Sequence, residues 1–153
     1  MENTSKTAAP GLARNAAQGA RLPQVLVIDD EPLLGHTLRL GLRDSLDVSV
    51  ETSGEKGLAR VLGSESFELV LCDLSLPDKM GADIFRAISQ HKPEMAARFI
   101  LMTGGPVGEQ ARAFVDSYSG PLLNKPFVLS EVERLVFGLL AELGEDLSLT
   151  SPA

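Results

Sequence analysis

Short runs of β-branched residues and leucine recur along the chain near residues 24–28, 48–52, 68–72, 98–102 and 120–124. Each is followed by a stretch whose apolar residues fall at helical spacing. The last stretch reads most plainly, with Val132, Leu135, Val136, Leu139, Leu140 and Leu143 in an i, i+3, i+4, i+7 pattern. Ser130, with Glu133 three residues later, is the expected capping box at its start. Upstream, Leu34, Leu38 and Leu42 mark one helix, with Pro32 in its first turn. Leu58, Val61 and Leu62 mark a second, and Ile84, Phe85 and Ile88 a third. Val107, Ala111, Phe114 and Val115 mark a fourth, with Pro106 near its start. Strands alternating with helices in this way predict an α/β fold, a doubly wound sheet of five parallel strands covered on both faces. Right-handed crossovers put every strand's carboxyl end on one edge, and in open sheets the site lies beyond that edge.

The residues that close these runs are polar and of a particular kind. Asp29 and Asp30 follow V-L-V-I, Asp73 follows E-L-V-L-C, Thr103 follows F-I-L-M, and Lys125 follows P-L-L-N. Three carboxylates brought to one sheet edge repel one another unless a cation sits among them. The set therefore suits a hard divalent metal and a transferred phosphoryl group.

Composition narrows the class. A chain of 153 residues with 44% hydrophobic and 23% charged positions suits one ordinary globular domain. Net charge is −7 and the isoelectric point about 4.8, which argues against nucleic-acid binding. Residues 1–22 carry Lys6, Arg14 and Arg21 against Glu2, a net +2, so the remainder holds −9 of the total −7. That first stretch is rich in small and polar residues and is expected to be a flexible tail or linker. The domain is expected over 23–143, with a second tail over 144–153. Cys72 is the one cysteine, so no internal disulfide can form, and its place in an apolar run reads as core. No run approaches the length of a membrane span, and no signal peptide is visible, so the default compartment is the cytoplasm.

Taken in order, V-I-D-D-E-P, D-L-S-L-P-D-K-M-G, L-M-T-G-G and N-K-P-F resemble the conserved segments of bacterial response-regulator receiver domains. The resemblance covers roughly residues 23–143. It implies a flavodoxin-like fold with strand order 2-1-3-4-5. It also implies that Asp73 accepts a phosphoryl group from a phosphohistidine on a sensor histidine kinase or histidine phosphotransfer protein. Mg²⁺ would then be held directly by Asp30 and Asp73, through water by Asp29, and by the backbone carbonyl of Ser75. Lys125 would pair with the acids and later with the phosphoryl oxygens, aimed by a cis bond to Pro126. Thr103 would be the hydroxyl that turns toward the phosphoryl group, with Gly104 and Gly105 leaving its loop mobile. Glu31 is expected to point away from the site. Read blandly, an aspartate of the first pair is only a cap for the helix that begins near Pro32.

Two positions depart from the common pattern. Many receivers carry an aromatic residue three positions before the lysine, where this chain has Leu122. Ser75 and Gly105 offer neither carboxylate nor amide to orient a hydrolytic water. Output is expected through residues about 103–143, to a downstream protein, a homodimer or a larger parent protein. No effector domain is expected after about Leu143. A stand-alone regulator is the first expectation, since the chain begins at Met1, and a receiver of a hybrid sensor kinase the second. The alternatives are a pseudo-receiver that binds partners without being phosphorylated, and an enzyme turning over a phosphoester. S-G-E-K-G lacks the spacing of a phosphate-binding loop, and T-G-G-P-V-G follows the wrong strand for a dinucleotide site. D-L-S-L-P lacks the second aspartate of haloacid-dehalogenase-type phosphatases. His36 and His91 read as solvated helix residues.

Overall fold

The computed structural model describes residues 21–105 and 108–144. Five strands alternate with five helices: β1 (Gln24–Ile28), α1 (Pro32–Gly41), β2 (Asp47–Glu51), α2 (Gly54–Leu62), β3 (Leu69–Asp73), α3 (Gly81–His91), β4 (Phe99–Thr103), α4 (Glu109–Ser117), β5 (Leu122–Asn124) and α5 (Leu129–Glu142). All pairings are parallel, and the sheet order is β2-β1-β3-β4-β5. This is the expected doubly wound arrangement and order. Residues 1–20 and 145–153, with most of the two expected tails, lie outside the described residues, as do Pro106 and Val107.

Period-two alternation sends successive strand residues to opposite faces, and both faces are apolar because both are covered. Leu26, Ile28, Val70, Cys72, Phe99 and Leu101 pack with Val61 of α2, Ile84 and Ile88 of α3, and Phe114 of α4. Val25, Val27, Leu69, Leu71, Ile100 and Met102 pack on the other side with Leu38 of α1 and Val132, Val136 and Leu140 of α5. The helical spacing read from the sequence thus picked out residues that face the core. Among the described residues, no helix is long and apolar enough to cross a membrane.

Two local readings are corrected, and one element is added. A 3-10 turn (Pro93–Arg98) intervenes between α3 and β4. Its first residue is a proline, and Lys92 before it leaves the helical region, as a residue preceding proline tends to do. β5 has only three residues rather than the run 120–124, because Pro121 has no N–H to give the ladder and only accepts, from Leu101 N at 3.1 Å. Finally, Ser130 does not cap the last helix. The extended residue there is Val128, whose N–H donates to Glu131 Oε1 at 3.1 Å, so Ser130 already lies in the first turn.

Candidate functional site

The sheet edge is built by ladders that run one residue past the strands. Asp29 N donates to Glu51 O at 3.0 Å, Leu74 N to Met102 O at 2.8 Å, and Lys125 N to Thr103 O at 2.7 Å. Parallel neighbours therefore hold Asp29, Asp73, Thr103 and Lys125 in register at one end of the sheet. Asp29 is buried, as are Asp73 and Thr103, while Asp30 is exposed. One oxygen each from Asp29, Asp30 and Asp73 can be chosen so that all lie within 4.8 Å of one another.

Lys125 is the cation that faces these acids. Its Nζ donates to Asp29 Oδ2 at 2.7 Å and lies 3.4 Å from Asp73 Oδ2. The peptide bond to Pro126 is cis, as the resemblance implied. Burial pulls the Lys125 ammonium down, but the hydrogen bond and charge of Asp29, then those of Asp73, outweigh it and hold it above the ordinary lysine range. Burial pushes the Asp73 carboxyl up, Lys125 pulls it down and the charge of Asp29 pushes it up, leaving it above the usual carboxylate range. Ser75 N lies 3.4 Å from Asp73 Oδ1, longer than a well-formed bond. Thr103 Oγ1 accepts from Gly105 N at 2.9 Å, and Gly105 has φ of 120°, a conformation that favours glycine.

Two readings of the acid pair change. Neither aspartate caps α1 through the cap position, which belongs to Glu31 and carries no side-chain cap bond; instead Asp29 Oδ1 accepts from Glu31 N at 2.9 Å. Glu31 does not simply point away, because its Oε1 lies 3.8 Å from Lys125 Nζ, at the exposed rim. A further residue went unread. Asp78 accepts from Ser53 Oγ, Gly54 N and Glu55 N at 2.8, 2.9 and 3.0 Å, tying the loop after Asp73 to the start of α2. The D-K-M-G stretch shows an acid there, but nothing local names a partner in another loop. Cys72 is fully buried and its thiol is pushed well above its usual range by burial, which fits a core residue. His36 and His91 are exposed on α1 and α3.

The donor set fits a small hard cation. Three carboxylates whose oxygens can gather within 4.8 Å of one another offer the hard oxygen donors that Mg²⁺ takes, with water filling the rest of its octahedron. Two buried acids facing one lysine also leave negative charge that a divalent ion would compensate.

A family model for the response regulator receiver domain matches residues 25–137. The chain is 29% identical over 116 residues to the response regulator protein PmrA of Pseudomonas aeruginosa, covering 76% of this chain and 52% of that protein. It is 30% identical over 120 residues to the response regulator ArlR of Staphylococcus saprophyticus, covering 78% and 53%. The chain thus spans about half the length of these curated relatives. A receiver domain structure from Clostridium thermocellum superimposes with a TM-score of 0.67 at 27% identity, covering 80% of this chain and 98% of that one. One from Methanospirillum hungatei, described as CheY-like, gives 0.71 at 22%, covering 81% and 98%, and speaks to the fold alone.

Proposed function

The chain belongs to the response regulator receiver domain family, and from that premise we propose that it accepts a phosphoryl group on Asp73. We place the domain at residues 23–143, in keeping with elements that run from Gln24 to Glu142. The observation that carries the reading is the convergence at one sheet edge of three carboxylates and Lys125, whose Nζ lies 2.7 Å from Asp29 and 3.4 Å from Asp73.

A carboxylate is a weak nucleophile, so position must do what reactivity does not. In the proposed step an Asp73 oxygen attacks phosphorus in line with the P–N bond of a donor phosphohistidine. The P–O bond forms as the P–N bond breaks, and the imidazole nitrogen leaves with the electron pair and takes a proton from solvent. Asp30, exposed and open, would hold Mg²⁺ with Asp73 and the Ser75 carbonyl, and buried Asp29 would act through water. When bound, Mg²⁺ neutralises phosphoryl oxygen charge and orients the group. Lys125 would turn from the acids to a phosphoryl oxygen. Thr103 would give up its bond from Gly105 to donate its own proton there.

The partners of this reading are a sensor histidine kinase or a phosphotransfer protein upstream, and a protein target or second copy downstream. The output face would be α4, β5 and α5, where Leu122 is exposed. Intact-mass spectrometry after treatment with acetyl phosphate and Mg²⁺ tests the proposal. One added phosphoryl group is expected, absent in Asp73→Asn. No adduct, from acetyl phosphate or from a cognate kinase, would favour the pseudo-receiver reading, for which Leu122 speaks. Steady phosphate release from unrelated phosphoesters would favour an enzyme.

A further inference from the structure

The loop between β3 and α3, residues 74–80, carries Ser75 and leads directly out of Asp73. Its ends are held by backbone and core. Gly81 N donates to Leu74 O at 2.8 Å, and Leu74 and Leu76 are buried. α3 begins so close to the strand that a Cβ on Gly81 would meet Asp73 O at 2.4 Å. The tip of the loop is held differently, by one side chain. The Asp78 carboxylate takes three donors from the start of α2: Ser53 Oγ at 2.8 Å, Gly54 N at 2.9 Å and Glu55 N at 3.0 Å. Ser53 is itself the N-cap of α2 and accepts from Lys56 N at 3.1 Å. Two loops far apart in sequence thus share one capping centre.

An exposed acid is ordinarily just solvated. A carboxylate with three donors at a helix N-terminus is fixed, because the orphan N–H groups and the helix dipole both favour its charge. Its carboxyl is accordingly pulled down to about 2 by the Glu55, Gly54 and Ser53 bonds. Asp73 has no comparable anchor. Its nearest polar contacts, Ser75 N and Lys125 Nζ, are both 3.4 Å away. Asp73 is set by β3, whose ladder with β4 runs on through Leu74 N to Met102 O at 2.8 Å, whereas Ser75 stands where the backbone of the loop carries it.

Building on the receiver reading above, we propose that Asp78 is a positioning residue for the metal and phosphoryl site. By tying the β3–α3 loop to the start of α2, it sets where the Ser75 carbonyl stands beside Asp73, and so how tightly Mg²⁺ binds. Groups bonded directly to metal ligands change metal affinity about 10- to 100-fold when removed, and Asp78, acting one step further out through the loop, is expected at the low end of that range.

The test uses the full chain and two readouts: Mg²⁺ binding by calorimetry without phosphodonor, and the Mg²⁺ concentration giving half the maximal rate of adduct formation from acetyl phosphate. Asp78→Ala is expected to need about 10-fold more Mg²⁺ in both, with the rate at saturating Mg²⁺ close to wild type. Asp78→Asn keeps one oxygen for the α2 amides and should fall between. Glu131→Ala removes the acceptor for Val128 N at the start of α5 and should leave both constants unchanged while lowering stability. That contrast separates positioning from general loosening. Equal Mg²⁺ constants for folded Asp78→Ala and wild type overturn the inference. If the alanine variant does not fold, Asp78→Asn decides by the same criterion. A wild type that binds Mg²⁺ but takes no phosphoryl group sinks the phosphoacceptor reading instead, and the calorimetric comparison still judges Asp78. A wild type that takes up no Mg²⁺ overturns the inference directly.

Discussion

Lys125 is not shared evenly between the two buried acids it faces, at 2.7 Å from Asp29 and 3.4 Å from Asp73. Asp73 is left the less compensated charge, and its carboxyl stands above the usual range because burial and Asp29 outweigh Lys125. A buried carboxylate left in this way costs stability in its charged form. Asp73→Asn keeps the shape and removes the charge, so without metal it should melt a few degrees higher than wild type. Mg²⁺ should stabilise the wild type by about 2.7 kcal/mol at one hundred times its Kd, and the variant far less. Thermal melts of both proteins in EDTA and in Mg²⁺ check this. A variant that melts lower in EDTA would mean that Asp73 contributes stability through its contacts. Asp29, Asp30, Asp73, Thr103 and Lys125 were legible because each closes an apolar run, a property of its own neighbourhood. Glu31 and Asp78 were not, since what they do depends on Lys125 and on Ser53–Glu55, which only the folded chain brings near.

Helix and strand identities were readable for a similar reason, and their ends were less so. Periodicity fixes which face of α5 meets the core, but not the turn in which it starts, and the cap moved from Ser130 to Val128 with Glu131. At α2 the expected pattern named no cap, yet Ser53 and Asp78, bonded to each other, together take three backbone N–H donors there. Asp78 has its folded carboxyl pulled down to about 2, against about 3.9 in an unfolded chain. A depressed carboxylate adds stability that is complete above the unfolded value and lost as pH falls through the folded one. Asp78→Ala should therefore be less stable than wild type at pH 7, and the gap should close as pH falls from ~4 toward ~2. Urea unfolding of both proteins across that range measures the gap. A gap constant with pH would mean that the charge of Asp78 is not what anchors α2.

At the scale of the whole molecule, strand order rather than strand identity makes the site. The order β2-β1-β3-β4-β5 sets Asp29 and Asp73 at the ends of neighbouring central strands, Thr103 beside them, and Lys125 just past the edge strand, reaching back. Hydrophobic periodicity carries no information about order, which is why the order was legible only through the resemblance of five segments taken together. The same order limits how a signal leaves. Thr103 ends β4, whose neighbour β5 is only three residues long, with Leu122 exposed where many receivers have an aromatic ring. Thr103 Oγ1 accepts from Gly105 N, so in the proposed switch a swing of the Thr103 side chain toward a phosphoryl group would break that bond and loosen the start of the following loop. Such a switch would run without an aromatic rotamer at position 122. Binding of beryllofluoride with Mg²⁺, as a phosphoryl mimic, should then alter amide exchange between Gly104 and Leu122 while β1 and β3 stay protected. Thr103→Ala should still bind the mimic but lose most of that change. If the exchange pattern is the same with alanine at 103, the signal leaves the site by another route, and the β3–α3 loop held by Asp78 is the next one to follow.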